Sequence, residues 1–352
     1  MERENFTRSI LAWYDQGHRD LPWRRTKDPY SIWISEIMLQ QTRAETVVSY
    51  YERFLGRYPT VQALADSSEE ELLKYWEGLG YYSRARSIHK AAKLICSEYG
   101  GQLPASLEQL RALPGIGDYT AGAIASIAFG IPAAAVDGNV ERVICRYDAL
   151  KDEVGTPAMR REITQRVQAL VPRDRPGAFA NAMMEMGARM CTPRNPSCLI
   201  CPVRESCRGL AQGIAAQLPN KKKKKPQRVE HRAVLLVFCA DRVLIVRREE
   251  KLLGGLYVFP DVLGGGDAAV LCAHMEEKGV SCAYDGVLGQ AKHVFTHIIW
   301  EMEIHALEAD ACMDVPGGMW ATAQELDALP LPTAVKRARE LAMKRLKERE
   351  RR

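Results

Sequence analysis

Apolar residues recur at helical spacing through the first 210 positions. SIWISEIMLQQTRAETVVSYYERFL (31–55), EEELLKYW (69–76), SRARSIHKAAKLICSEY (83–99) and TAGAIASIAF (120–129) each predict helix. SLEQLRAL (106–113) opens on Ser106 with Gln109 three residues on, the signature of a capping box, so that helix start is well marked. After QLPNKKKKKPQ (217–227) the pattern changes. RAVLLVFCADRVLIVRR (232–248) predicts two strands joined by a tight Ala-Asp turn, and GLYVFP (255–260), HVFTHIIWEMEIHAL (293–307) and GGMWAT (317–322) continue in that style. From Thr333 onward a basic amphipathic helix follows. No internal repeat is visible.

Composition alters this picture little. The 352 residues are 47% hydrophobic and 26% charged, enough for two domains with separate cores. No apolar run reaches membrane-spanning length, and the N-terminus reads as neither a signal nor a transit peptide, so a cytoplasmic, nucleoid-associated protein is expected. The net charge of +5 sits in Lys221–Lys225 and the C-terminal tail; positions 226–335 hold twice as many acids as bases. Bulk charge is therefore weak support for a nucleic-acid partner, and local features must carry that reading. The lysine run reads as a solvated linker.

Ten cysteines are many for a reducing compartment, where disulfides are not expected. Cys191, Cys198, Cys201 and Cys207 lie within 17 residues, at gaps of six, two and five. Four thiolates so placed suit a Cys₄ zinc site or a [4Fe–4S] cluster, and the spacing alone leaves both open. The other six cysteines are scattered and read as core.

LPGIGDYTAG (113–122) predicts a helix, a tight turn and a second helix. Gly115 and Gly117 permit positive φ and leave the second helix's amides open to an anion such as a phosphate. Two carboxylates stand out. Glu36 lies in WISEIML, an apolar helix, where partial desolvation raises a carboxyl's pKa toward proton donation. Asp137 precedes a helix whose apolar face is Val140, Val143, Ile144 and Tyr147. It therefore falls at the N-cap, which favours its ionised form.

Taken together, LPGIGDYTAG, VDGNVERV (136–143) and the four cysteines resemble the endonuclease III superfamily of DNA glycosylases. WISEIMLQQT, GLGYYSRAR and the strand-rich second half narrow the resemblance to the MutY-type adenine DNA glycosylases, over nearly the whole chain. It implies a mainly α helix-hairpin-helix glycosylase region at 1–217. Within that region lie a six-helix barrel at about 29–135 and an iron–sulfur subdomain formed by 1–28 plus 136–217. A basic linker (218–228) and an α+β Nudix-like domain (229–352) follow. It also implies a [4Fe–4S] cluster rather than zinc, and a monomer acting on duplex DNA with adenine opposite 8-oxoguanine or guanine.

Residue roles follow from the same resemblance. Glu36 is the acid that protonates adenine; Asp137, supported by Asn139, stabilises the cationic sugar. Tyr119 stands where strand-cutting relatives carry a Schiff-base lysine, which implies hydrolysis without strand cleavage. Arg24 and Glu185 match the adenine pocket. Gln41 and Tyr81 match residues that insert beside the 8-oxoguanine, Leu39 and Thr42 match residues that contact the bases, and Arg84 and Arg86 are phosphate-contact candidates. HVFTH (His293, Phe295, Thr296, His297) matches the 8-oxoguanine loop, with Thr296 in place of the family's serine. AHMEEKGV lacks the Arg-Glu pair and glutamate cluster of a hydrolytic Nudix helix, so nucleotide pyrophosphate hydrolysis is not expected. A non-catalytic iron–sulfur DNA-binding protein is the remaining alternative, and the paired carboxylates argue against it.

Overall fold

A computed structural model describes residues 2–222, 226–250 and 252–351, so Lys223–Lys225 of the lysine run lie outside the described residues. Two compact units emerge. The first comprises Met1–Ser67 and Ser83–Lys223; the second comprises Ser68–Tyr82 and Lys224–Arg352. The segment 68–82, expected within the helical region, thus groups with the C-terminal part of the chain.

The first unit begins with α1 (Glu2–Gln16), α2 (Pro29–Leu39), α3 (Ala44–Arg57) and α4 (Val61–Ala65). Helix α5 (Glu69–Tyr75) belongs to the second unit. The first unit resumes with α6 (Ser83–Tyr99), α7 (Leu107–Ala112), α8 (Asp118–Ile127), α9 (Gly138–Tyr147), α10 (Pro157–Gln168), α11 (Pro176–Glu185) and the short α12 (Arg208–Ala211). A π-turn, Met186–Met190, leads from α11 straight to Cys191. One core joins Phe6 and Ile10 of α1 to Val140, Val143 and Ile144 of α9 and Phe179 and Met183 of α11. The apolar face read for α9 is therefore the one that packs.

The second unit is built on a seven-stranded sheet: β1 (Arg228–Cys239), β2 (Arg242–Arg247), β3 (Tyr257–Val258), β4 (Asp261–Leu263), β5 (Cys282–Val294), β6 (Ile298–Ala309) and β7 (Gly318–Ala321). Strand order is β3-β2-β1-β6-β5, with β1 and β6 parallel and β5 and β6 an antiparallel hairpin. The unbroken apolar run of β1 is explained by burial on both faces. Val234, Leu236 and Phe238 pack toward α14 (Ala323–Ala328) and α15 (Lys336–Glu350). Ala233, Leu235 and Val237 pack toward α13 (Ala268–Glu276).

One expectation is corrected. Cys239 and Cys312 form a disulfide rather than packing as free thiols. The end of β1 and the loop after β6 meet because the two strands run parallel, which no local sequence signal encodes. Among the described residues no helix is long and apolar enough to cross a membrane.

Candidate active site

Helix α2 has no polar face: eight of its eleven residues are buried, Glu36 among them at 2% exposure. Its N-terminus is fixed by Pro29 and by Asp28, which accepts from Ser31 N at 2.8 Å. At its other end the Arg84 guanidinium donates to the carbonyls of Ile37 (2.7 Å), Met38 (3.1 Å) and Gln40 (2.6 Å). Arg84 is buried there, so it holds the end of α2 instead of reaching for a phosphate. The chain then turns tightly, Thr42 N donating to Leu39 O, and Gln41 takes φ 59° with its side chain exposed. A non-glycine residue in the left-handed region is strained, and such strain concentrates at working sites.

Glu36, Tyr119 and Asp137 share one cleft of about 1130 Å³, also lined by Arg24, Leu39, Gln41, Thr42, Gly117 and Asn139. Burial raises the Glu36 carboxyl to about 7; the Tyr119 hydroxyl, donating to Glu36 Oε2, works against that rise, and the Asp137 charge reinforces it. Tyr119 also lies 3.1 Å from Met184 Sδ. Its own pKa is pushed far up, first by burial and then by the charges of Glu36 and Asp137. It stays a neutral donor that fixes one oxygen of Glu36 and leaves the other for proton transfer.

Asp137 caps α9. Oδ1 accepts from Asn139 N (2.9 Å) and Val140 N (2.8 Å), and Oδ2 accepts from Asn139 Nδ2 (2.8 Å). These bonds lower its pKa, yet burial outweighs them and the net shift is upward. Asn139 Oδ1 accepts from Arg142 Nη2 (2.8 Å), which also reaches Gly187 O (2.7 Å), while Arg142 Nε donates to Cys191 O (2.8 Å). A Cβ on Gly187 would stand 2.5 Å from Asn139 Cβ, so only glycine lets the π-turn approach this chain of bonds.

Glu185 is fully buried and does not line the cleft, but it lies behind Arg19 and Arg24, which do. Arg19 grips it through Nε, Nη2 and the backbone amide, and Arg24 Nη2 donates to Oε2 at 2.8 Å. Burial alone would raise its carboxyl, but the two guanidinium groups pull it down to about 2. Arg25 pairs with the exposed Asp20 instead. Arg19 was missed in the sequence: it sits in a polar loop, 166 residues from its partner, and nothing local marks it.

The hairpin needs one correction. Gly115 takes φ +78°, and a Cβ there would meet Ser87 Cβ at 2.5 Å, so the turn is pressed against α6. Gly117 is ordinary extended backbone at the N-cap of α8, with nothing near its Cα to exclude a side chain.

Cys191, Cys198, Cys201 and Cys207 are free thiols lining one cavity with Val143, Tyr147 and Met186. Among the described residues no three ligands converge closely enough for a single ion. Four thiols around one cavity are a donor set that fits a [4Fe–4S] cluster. Burial, then the charges of its three sister cysteines, push Cys201 to about 11, a repulsion that bound iron would relieve. Arg146 steadies the loop, donating to Cys191 Sγ and to the carbonyls of Cys191, Thr192 and Pro193.

In the second unit the 295–297 turn joins β5 to β6, with Thr296 and His297 exposed. Phe295 packs edge-on to Trp300 and His293, with centroids 4.9 and 4.5 Å apart. The guanidinium groups of Arg232 and Arg248 lie over Trp300 at 4.4 and 5.0 Å. Tyr81, also in this unit, takes φ 46°, and its hydroxyl lies 2.9 Å from Thr296 Oγ1.

Residues 34–169 match the HhH-GPD superfamily of base excision DNA repair proteins, 191–207 the iron-sulfur binding domain of endonuclease III, and 233–341 the NUDIX domain. The chain is 35% identical to the adenine DNA glycosylase of Rattus norvegicus, covering 94% of this chain and 77% of the rat protein. It is 35% identical to that of Homo sapiens (94% and 73%) and 32% identical to that of Buchnera aphidicola subsp. Baizongia pistaciae (83% and 83%). Among solved structures, a thermostable thymine-DNA glycosylase matches at TM-score 0.55 and 31% identity, covering 60% of this chain and 97% of that one. A non-covalent endonuclease III–DNA complex matches at 0.51 and 25%, covering 59% and 94%. The cysteine loop accordingly holds a [4Fe–4S] cluster, and the fold is a helix-hairpin-helix glycosylase unit with a Nudix-like unit.

Proposed function

The chain belongs to the adenine DNA glycosylases, base excision repair enzymes that remove adenine, and from that membership we propose that its substrate is adenine opposite 8-oxoguanine or guanine in duplex DNA. The product is an abasic site on an intact strand, and excision there prevents G:C to T:A mutation. The observation that carries the reading is the buried Glu36, raised to about 7, hydrogen-bonded by Tyr119 in the cleft that also holds Asp137.

The duplex base must first be extruded to reach this cleft. Gln41 and the turn around it, and Tyr81, are suited to fill the gap. Glu36 in its protonated form donates to adenine N7. The N-glycosidic bond then breaks with its electron pair moving to the base. The Asp137 carboxylate stabilises the positive sugar, and water adds at C1′, releasing a proton. Glu185, kept ionised by Arg19 and Arg24, holds the two guanidinium groups in place where they line the cleft. Tyr119 has no amine, so no Schiff base forms and the strand is not cut. The [4Fe–4S] cluster, when bound, supplies iron–sulfur bonds that tie the 191–207 loop behind Asn139 and Arg142.

Base release from duplexes carrying adenine opposite 8-oxoguanine, guanine or thymine tests this. Glu36→Gln is expected to lower single-turnover release by at least about 10²-fold while leaving duplex binding largely intact. No release from the 8-oxoguanine duplex, or release insensitive to Glu36, refutes it.

A further inference from the structure

The strongest unexplained feature is the company kept by residues 68–82. Helix α14 ends at Ala328, and its last carbonyls have no intrahelical partner. Lys74 Nζ donates to Asp327 O (2.6 Å) and Leu329 O (3.1 Å), and Arg339 Nη2 donates to Asp327 O (3.0 Å) and Oδ1 (2.9 Å). Both cations also meet on Glu77, Lys74 at 2.8 Å and Arg339 at 2.7 Å. Glu77 and Arg339 are only 23% and 18% exposed, so this is not a loose surface pair. Charge-assisted bonds in partly dry surroundings hold position well.

Four residues beyond Glu77 stands Tyr81. The intervening turn is pinned by Trp76, fully buried, whose Nε1 donates to Gly80 O at 3.1 Å. Tyr81 then meets Thr296 hydroxyl to hydroxyl. Thr296 is held from its own side by Phe295 on Trp300, with Arg232 and Arg248 over the indole and Asp261 bonded to both. Each hydroxyl is thus anchored through a separate rigid path.

We propose that Glu77 and Arg339 are positioning residues for lesion recognition: their clamp on α14 makes 68–82 and the 293–297 loop one recognition element, with Tyr81 and Thr296 held in register. The inference rests on the reading that these two residues recognise 8-oxoguanine. Neither Glu77 nor Arg339 lines the cleft of Glu36 and Asp137, so breaking the clamp affects the choice of opposite base and not the excision chemistry.

Single-turnover adenine excision by the cluster-loaded full chain, on duplexes with adenine opposite 8-oxoguanine and opposite guanine, tests it. Arg339→Ala and Glu77→Gln are each expected to reduce the preference for the 8-oxoguanine duplex by about tenfold, the worth of one hydrogen bond to a charged group. The guanine-duplex rate stays within about twofold, and Arg339→Lys, which keeps one charge-assisted bond, retains most of the preference. A wild-type preference that Arg339→Ala and Glu77→Gln both keep overturns the clamp alone. A parallel fall on both duplexes also overturns it, since that is loss of structure. A wild-type chain with no preference overturns the lesion reading and the clamp with it.

Discussion

Replacing Tyr119 by phenylalanine isolates what sets the proton affinity of Glu36. The carboxyl stands near 7 because burial raises it and the Tyr119 hydroxyl opposes that rise by donating to its ionised form. Phenylalanine keeps the ring and the burial but removes the donor, so the pKa must climb further. A hydrogen bond to a charged group is worth about 1.5–3 kcal/mol, and part of it survives with a protonated partner. A differential of about 1.4 kcal/mol moves the pKa by about one unit. In the proposed mechanism excision requires protonated Glu36, so the rate is expected to fall as pH rises through that pKa. At pH 8 about a tenth of the wild-type carboxyls carry the proton, against about half in the variant. The assay is single-turnover adenine release from pH 5 to 9, each profile normalised to its own plateau. The basic limb is expected to move upward by about one pH unit. A limb that stays in place or moves downward refutes the assignment of Tyr119 as donor to Glu36.

Glu36→Gln also has a stability signature. A carboxyl raised from 4.5 to about 7 adds stability that is complete below 4.5 and lost as pH rises through 7. Thermal unfolding should therefore show the variant gaining on wild type by up to about 3 kcal/mol between pH 4.5 and 8. Glu185 has the opposite sign: its carboxyl is lowered to about 2, so its stabilisation is present above 4.5 and disappears as pH falls through 2. Arg24→Ala, which leaves a buried carboxylate with Arg19 alone, is expected to destabilise by about 3 kcal/mol at pH 7, with the loss shrinking in acid melts. Gly187→Ala, driven into Asn139, should lower both excision and melting temperature, by about 1–3 kcal/mol in stability, measurable by calorimetry and single-turnover kinetics. Cys198→Ser should reduce bound iron, read from visible absorption, and weaken duplex binding as loop 191–207 loosens.

The apolar periodicity of 1–210, the strand runs after 232 and the N-cap at Asp137 were all legible, because each depends on residues within a turn or two of one another. Glu36 was legible for the same reason: its neighbours in α2 are apolar whatever the helix packs against. Arg84 was misread because a cation in a polar stretch looks solvated, and only the fold brings the end of α2 to it. Gly117 was given a freedom that only Gly115 uses. The Cys239–Cys312 link was hidden because 73 residues separate two cysteines that each look like core.

What the sequence determined by itself is the chemistry available: a carboxyl in an apolar helix, an aspartate at a helix start, a tyrosine in place of an amine, and four thiols at metal-binding spacing. These are short-range properties, written in neighbours. Tertiary structure alone decided how that chemistry is tuned. Arg19 reaches Glu185 across 166 residues, Tyr119 reaches Glu36 across 83, and Tyr81 reaches Thr296 across 215. Proton affinity and register depend on distance in space and on exclusion of water, and neither is a property of adjacent residues.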